Sequence, residues 1–246
     1  MSVFYRTLNS LANSLTEFGQ HEEALKAISE AVDIHRSLVE THSDAFLPDK
    51  AMCLDNLGNI LGKLKKHEEA LKATCEAVDI YRLLAMSCPD VFLSDVTRSV
   101  SNLSIRFSNM GQHEEALIAI REAVDIYRPL LVSYPDVYIS FLIRNLNTLE
   151  NCLSDMDLYE EALEAAQEAV NTCRPLVMSR PDVFLPYLAG TLTSLGNRFS
   201  ELDRHEKALE AIHEEVDIYR SSVIPFPDAF LPGLYPNRYT SLSNFL

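Results

Sequence analysis

Apolar residues recur along the chain at the spacing of an α-helix, in pairs of successive runs. One such run places Leu54, Leu57 and Leu61 three and four positions apart, and the next places Ala70 and Val78 in the same period. This spacing puts the apolar side chains on one face of each helix. Both runs are rich in strong helix formers, so the pattern predicts two amphipathic helices joined by a short turn.

The second run belongs to a segment that the chain repeats with a fixed period. Its copies begin, 46 residues apart, at His21, His67, His113, Tyr159 and His205. Such periods are typical of stacked helical repeats, in which each unit buries its apolar face only against a neighbour. The sequence therefore predicts an all-α fold, a right-handed α-solenoid of antiparallel helix pairs that spans residues 1–246 as a single domain. Its predicted repeats are 1–43, 44–89, 90–135, 136–181 and 182–227, followed by a partial capping repeat at 228–246.

Glycine and proline indicate where the helices end. Gly19 and Gly111 occupy matching positions just before the repeated segment, where the end of a helix favours left-handed backbone. The turn between the first and second helix of each repeat is therefore predicted at this position. Pro129 and Pro175 fall inside the second helix, and we expect a kink there rather than an end.

A Pro-Asp step separates consecutive repeats. It recurs at Pro89, Pro135, Pro181 and Pro227. We expect the proline to end one helix and the aspartate to cap the next. A second proline in three units leaves the exact start of the first helix open by several residues. These second prolines are Pro48, Pro186 and Pro232.

These residues carry a family resemblance. The second repeat has large and small residues at the offsets of the tetratricopeptide-repeat signature, namely Leu54, Leu57, Gly58, Leu61, Ala70 and Ala77. The match recurs in other units, so the resemblance covers the whole chain. The period exceeds the usual 34 residues by 12, since 46 − 34 = 12. In this it resembles kinesin-light-chain-like repeats and the arrays of fungal and bacterial signalling ATPases.

Two departures from that signature bear on packing. Arginine replaces the proline that closes the short repeat, which fits a longer second helix, at Arg82, Arg128, Arg174 and Arg220. Glu150 takes the small position of the fourth repeat. Because a carboxylate is costly to bury, we expect local distortion or solvent access there.

Composition narrows the class of protein. The formal net charge of −15 argues against nucleic-acid binding, which favours a basic face. No apolar run approaches the length of a membrane helix, and the first residues do not resemble a signal peptide. Five cysteines without paired spacing indicate reduced thiols and a cytoplasmic location.

No pattern of residues predicts catalysis or a cofactor. The histidines that open four of the repeated segments are one unit apart, so they form a ladder rather than converging on one ion. Phosphate loops, dinucleotide motifs and nucleophile elbows are missing from the sequence. We therefore expect no enzyme activity, no metal and no cofactor.

The polar positions of the first helices are the candidate binding residues. In tetratricopeptide arrays the first helices line the concave face, and the residue after the small position points into the groove. That column holds Asn13, Asn59, Asn151 and Asn197, the column four positions earlier adds Asn9, Asp55 and Asn147, and Arg98 and Arg144 lie one turn before. Asparagine is a mediocre helix former, so four in one column exceed what helix propensity supplies. An ordinary polar surface is the alternative.

The predicted function is a non-catalytic scaffold that binds an extended peptide or protein segment in the concave groove. An acidic or neutral segment fits the first helices better than a basic one, because the acidic charge is concentrated on the second helices. Two alternatives stay open: the sensor or oligomerisation arm of a larger signalling ATPase, and a chaperone adaptor that clamps a C-terminal carboxylate. End-to-end self-association through the unfinished end repeats is also left open.

Overall fold

The structure, a computed structural model, describes residues 2–42 and 46–222. Within them the chain is helical, with short turns and no strands. The ten helices of these residues are α1 (Ser2–Glu17), α2 (His21–His42), α3 (Leu47–Lys63), α4 (His67–Ser87), α5 (Pro89–Asn109), α6 (His113–Ser133), α7 (Pro135–Ser154), α8 (Tyr159–Val177), α9 (Pro181–Glu201) and α10 (His205–Ser222). The all-α prediction is confirmed. The predicted capping repeat at 228–246 lies outside the described residues.

Within each of two compact units of the chain, helices that follow one another in sequence pack against one another. Odd-numbered helices are the first helices of the repeats and even-numbered helices are the second. The chain forms two compact units, Met1–Val132 and Ser133–Leu246. In the first unit α3 packs on α2 and α4, and α5 packs on α4; in the second, α9 packs on α8 and α10. First helices of neighbouring repeats also touch, as α1 touches α3 and α7 touches α9.

The turn inside each repeat has the same backbone geometry in all five copies. One residue per turn has a positive φ, at 46-residue intervals, namely Gly19 (76°), Lys65 (60°), Gly111 (72°), Asp157 (60°) and Asp203 (56°). The residue that follows donates its N–H to a carbonyl five positions back, as Lys66 does to Leu61 at 3.0 Å. This bond satisfies a carbonyl left open at the end of the first helix. The predicted left-handed turn is confirmed, although three of its residues are not glycine.

The Pro-Asp step begins the first helix rather than separating two helices. α5 begins at Pro89 and α9 at Pro181, and the capping residues before them are Cys88 and Arg180. Neither helix has a side-chain cap hydrogen bond. The predicted aspartate cap is therefore wrong. Proline suits the first helical position because it has no N–H to leave unpaired and its φ is already helical.

The second prolines have different places in different helices. Pro48 lies in the first turn of α3, whereas Pro186 lies inside α9 and Pro232 is outside the described residues. Pro129 and Pro175 both lie inside second helices that continue beyond them, so neither proline ends its helix, and the kink stays a prediction. None of the described helices is both long and apolar enough to cross a membrane.

Small residues allow the two helices of a repeat to approach each other. A side-chain carbon on Gly58 would lie 3.2 Å from the Ala70 carbonyl oxygen, and Ser104 donates its hydroxyl to the Ala116 carbonyl at 2.8 Å. Larger residues such as Leu54 then fill the space beside this contact and are fully buried. The packing that the signature implies is therefore present, and it directs the polar faces of the first helices away from the second helices.

Candidate functional site

The asparagine column of the first helices faces outward. Asn13, Asn151 and Asn197 are exposed, and Asn59 is half-buried. In the same column Ile105 of α5 is 38% exposed. The structure thus leaves amide groups accessible on α1, α3, α7 and α9, at the positions from which the sequence predicted contact with a partner.

The column four residues earlier is different, and two of its members are buried. Asn9 is 6% exposed and its Oδ1 accepts a hydrogen bond from Asn56 Nδ2 at 2.8 Å. Asp55 is 1% exposed and its Oδ1 accepts hydrogen bonds from Ser99 Oγ at 3.1 Å and Asn102 Nδ2 at 3.2 Å. The expectation that Asn9 and Asp55 face a ligand is therefore wrong, because both side chains bind the next first helix instead.

Arg98 is half-buried and contacts the same group of side chains. Its Nη2 lies 4.0 Å from Asp55 Oδ2 and donates to Asp95 Oδ1 at 2.7 Å and to the Tyr81 hydroxyl at 3.3 Å. Burial raises the pKa of Asp55, and Arg98, Asn102 and Ser99 oppose that rise. The guanidinium thus stabilises a buried carboxylate and joins α5 to α4, while 36% of the Arg98 side chain stays exposed.

These contacts follow a register that sequence reasoning missed. Polar residues 47 positions apart form hydrogen bonds between neighbouring first helices, in the pairs Asn9–Asn56, Asp55–Asn102, Asn59–Arg106 and Ser154–Glu201. The signal was present in the sequence as polar residues one position beyond the 46-residue period. The polar columns of the first helices therefore serve junctions between repeats as well as the outer surface.

A groove of about 600 Å³ lies along α1, α3 and α5 in the first unit. It is lined by Asn13, Thr16, Glu17, Asn56, Asn59, Ile60, Gly62, Lys63 and Arg106. Two of the predicted residues, Asn13 and Asn59, thus share one cavity. Arg106 and Lys63 add two cations that the sequence analysis did not select for it.

Arg106 is the least exposed charge in this groove. Only 7% of the residue is exposed, and its Nη2 donates to Asn59 Oδ1 at 3.1 Å. Its guanidinium lies against Gly62, where any side-chain carbon would overlap it. Burial lowers the pKa of Arg106, and the buried Asp55 carboxylate opposes that change. Its Nε is buried and has no hydrogen-bond partner among the described residues.

A second groove, of about 240 Å³, lies between α7 and α9 in the second unit. Its lining includes the predicted residues Arg144 and Asn147, with Tyr187 and Gly190 on the facing helix. Arg144 is exposed, and its guanidinium carbon lies 5.8 Å from the centroid of the Phe141 ring. Asn147 is half-buried, and its Oδ1 has no hydrogen-bond partner in the part of the chain that the structure describes. The other two predicted residues of this unit, exposed Asn151 and Asn197, line neither groove.

Glu150 is a buried residue of α7, one of the two helices that form the second groove. The residue is 2% exposed within an uninterrupted α7, so the expected distortion or solvent access is wrong. Burial raises the pKa of this carboxyl to about 7, and the Ser194 hydroxyl and Arg198 of α9 oppose the rise. A carboxyl with this pKa changes charge near neutrality, so its ionisation affects the stability of the α7–α9 junction.

Every second helix except α8 begins with one of the four repeated histidines. His21, His67 and His113 are the first residues of α2, α4 and α6 and are half-buried, whereas His205 is exposed. Across residues 2–42 and 46–222, no three histidine, cysteine, aspartate or glutamate side chains are grouped so as to hold a metal ion.

Family models match three parts of the chain. Two models, each described as tetratricopeptide repeat, match residues 4–82 and 96–132. A third, described as anaphase-promoting complex subunit 5, matches residues 138–176. No curated protein matches the chain by sequence.

Solved structures resemble the fold over most of its length. Two are of a Podosopora anserina protein named as a kinesin light chain with nearly identical TPR-like repeats, at 18% identity and TM-scores of 0.72 and 0.70. These alignments cover 88% of this chain and 94% and 96% of the other. BtubC (BKLC) from P. vanneervenii is 15% identical, with a TM-score of 0.69 over 88% of this chain and 80% of its own. At these identities the likeness is one of fold.

Proposed function

Because the chain is a tetratricopeptide-repeat array, we propose that it is a non-catalytic scaffold that binds an extended peptide or protein segment along its first helices. The observation that carries this proposal is the presence of an open groove on the first helices of each unit, with predicted binding residues in both. Extended segments suit such surfaces because their unpaired backbone N–H and C=O groups can bond to side-chain amides.

The charges of the grooves favour an acidic or neutral partner. The first groove carries Lys63 and Arg106 against Glu17, a sum of 2 − 1 = +1, and Arg144 is the one charged residue lining the second. Both values contrast with the net −15 of the chain. Electrostatic complementarity accelerates association and discriminates between partners, so a basic segment would be attracted to the rest of the surface rather than to these grooves.

Asn13 and Asn59 supply the neutral part of the same recognition. Asn59 already uses its Oδ1 to accept from Arg106, which leaves its amide N–H groups to donate. Asn13 is exposed and offers both a donor and an acceptor. A backbone carbonyl near Asn59 and a carboxylate near Lys63 would therefore match the groups of the first groove.

Selection from a random peptide library against the full chain tests the proposal. We expect the enriched peptides to be acidic or neutral and to lose about fivefold in affinity with Lys63→Glu or Arg144→Glu, measured by fluorescence anisotropy. Lys72→Glu is the matched control, since Lys72 is exposed on the second helix α4 and undergoes the same change of charge. A C-terminally amidated version of each peptide shows whether a terminal carboxylate is required.

The proposal would be contradicted if the selected peptides were basic. It would also be contradicted if their affinity fell equally with Lys72→Glu, because that result would place the contact outside the grooves of the first helices. Circular dichroism of all three variants shows whether each retains its helices.

A further inference from the structure

An apolar stripe of α10 is exposed, although its equivalents in other repeats are buried. Ile212 is 41% exposed, whereas the residues at the same position of the other second helices, Ile28, Thr74, Ile120 and Ala166, are all 0% exposed. Val216 is 36% exposed and its equivalents at most 2%. In α2, α4 and α8 the following first helix packs on the second helix that carries these positions. Ile212 and Val216, the apolar stripe of α10, therefore occupy positions that are buried in the other repeats.

The first helix α1 exposes the complementary stripe. Phe4 is 53% exposed, but three of its four equivalents, Val96, Leu142 and Leu188, are at most 5% exposed, and the fourth is Lys50. Leu11 is 48% exposed, whereas three of its four equivalents, Leu103, Leu149 and Leu195, are at most 8% exposed and the fourth, Leu57, is partly buried. α1 thus presents the apolar face that α5, α7 and α9 bury.

We propose that α1 of one copy of this chain packs on α10 of a second copy, as a first helix packs on the preceding second helix inside the array. This self-association is independent of the grooves and joins two different faces. Such a heterologous contact uses α1 of one copy and α10 of the other, so one α1 and one α10 of each dimer remain to bind further copies.

A polar pair within the array supports this register. Between α4 and α5, Arg98 donates to the Tyr81 hydroxyl at 3.3 Å, and its guanidinium carbon lies 5.9 Å from the ring centroid. Arg6 occupies the arginine position on α1, since 98 − 6 = 92, and Tyr219 occupies the tyrosine position on α10, since 219 − 81 = 138. Both differences are multiples of 46. A junction between two copies therefore brings together the same arginine and tyrosine, besides the apolar stripes.

The other occupant available to α10 is the chain's own segment 228–246. The sequence from Asp228 repeats the one that opens other units, but Arg238 and Ser241 stand 46 positions after Leu192 and Leu195, which are buried in α9. α1 has Leu8 and Leu11 at those positions. A second copy thus matches the stripe of α10 better than this segment does.

Sedimentation velocity of the full chain over a wide concentration range tests the proposal. We expect the average mass to rise above that of one chain as concentration increases. Leu11→Glu on α1 and Ile212→Glu on α10 should each give a monomer, because each places a carboxylate in the apolar junction. Mixed together, the two variants should form a dimer that does not grow, since each retains the face that the other lacks.

Ile118→Glu provides the matched control, because Ile118 is 69% exposed on α6 and lies outside both stripes. It should associate as the unmodified chain does, and circular dichroism should show equal helicity for all variants. A chain that stays monomeric throughout the range, as expected if residues 228–246 cover α10, would overturn the proposal. So would single variants that still associate, or a mixture that remains monomeric.

Discussion

Arg82 Nη2 donates to both carboxylate oxygens of Glu122, at 2.9 and 2.7 Å, and so joins α4 to α6. The same spacing of 40 residues recurs at Arg174 and Glu214, at 2.7 Å, within the second unit. Arg82 occupies the position where the short repeat has its closing proline. The longer second helix therefore replaces a helix-ending residue with an ion pair to the next second helix.

This exposed ion pair should contribute little to stability at physiological salt. The two side chains are 47% and 36% exposed, so we expect a coupling free energy of about 0.2–1 kcal/mol. A double-mutant cycle of Arg82→Ala and Glu122→Ala in urea unfolding measures it. The coupling should decrease when salt is raised. A value that is larger, or insensitive to salt, would contradict a solvent-screened pair.

Lys65→Gly should stabilise the first unit by about 1 kcal/mol. Lys65 has a φ of 60°, where a side chain with a β-carbon is strained and glycine is not. Gly19→Ala at the equivalent turn is the reciprocal test and should destabilise. A β-carbon on Gly19 meets nothing within 4 Å, so its cost would come from the backbone alone. Urea unfolding of both variants measures the two changes, and equal signs would contradict this explanation.

Glu150 should make the stability of the second unit fall as pH rises. Its pKa is raised by burial from 4.5 to about 7 in the folded chain, so between these values the folded state binds more protons than the unfolded state. The free energy of unfolding therefore decreases through this window. The penalty is absent below it and complete above it, at about 3 kcal/mol for a shift of this size.

Glu150→Gln removes the titrating group and tests that dependence. We expect a weaker decrease in stability between pH 5 and pH 8 and a more stable protein at pH 8, measured by urea unfolding. Arg198 and Glu201 are the charged groups of α9 that act on this carboxyl, and they are unchanged in the variant. Asp55 has a raised pKa of the same sign, so part of the decrease should persist. An unchanged pH profile would contradict the role of Glu150.

Asp55→Ala should destabilise the chain by about 2–4 kcal/mol. The substitution leaves Ser99, Asn102 and Arg98 without the carboxylate that they contact. Asn151→Ala removes an exposed amide and should change the free energy of unfolding by less than about 0.5 kcal/mol. Thermal and urea unfolding measure both variants. If the two were equally stable, Asp55 would not hold the α3–α5 junction.

The helices and turns could be predicted because their causes are local and periodic. Gly19 and Gly111 indicated a left-handed turn, and the period then placed the same turn at Lys65, Asp157 and Asp203, where the residues themselves do not indicate it. The Pro-Asp step was assigned to the wrong cap positions because proline can both end a helix and begin one. Only the structure shows that Cys88 and Arg180 occupy the capping positions before these helices.

The binding surface could be predicted only in part. The outward direction of Asn13, Asn151 and Asn197 follows from helical periodicity alone. Whether a polar residue lies at a junction depends on the rotation between neighbouring first helices, which sets a register of 47 rather than 46 positions. At this register Asn9 and Asp55 are buried between neighbouring first helices, and Arg106 lies in the groove beside Asn59.

The hydrogen bonds at this register also restrict how the array can change its length. Deleting one repeat keeps every turn in phase, because the backbone period is uniform. It would nevertheless remove some of the junction hydrogen bonds: without residues 90–135, Asn59 would face Cys152 in place of Arg106. Repeats of this protein are thus interchangeable in their backbones but not in their order. Recombination between them should yield chains that fold, some of them with mismatched junctions that are weaker than the original ones.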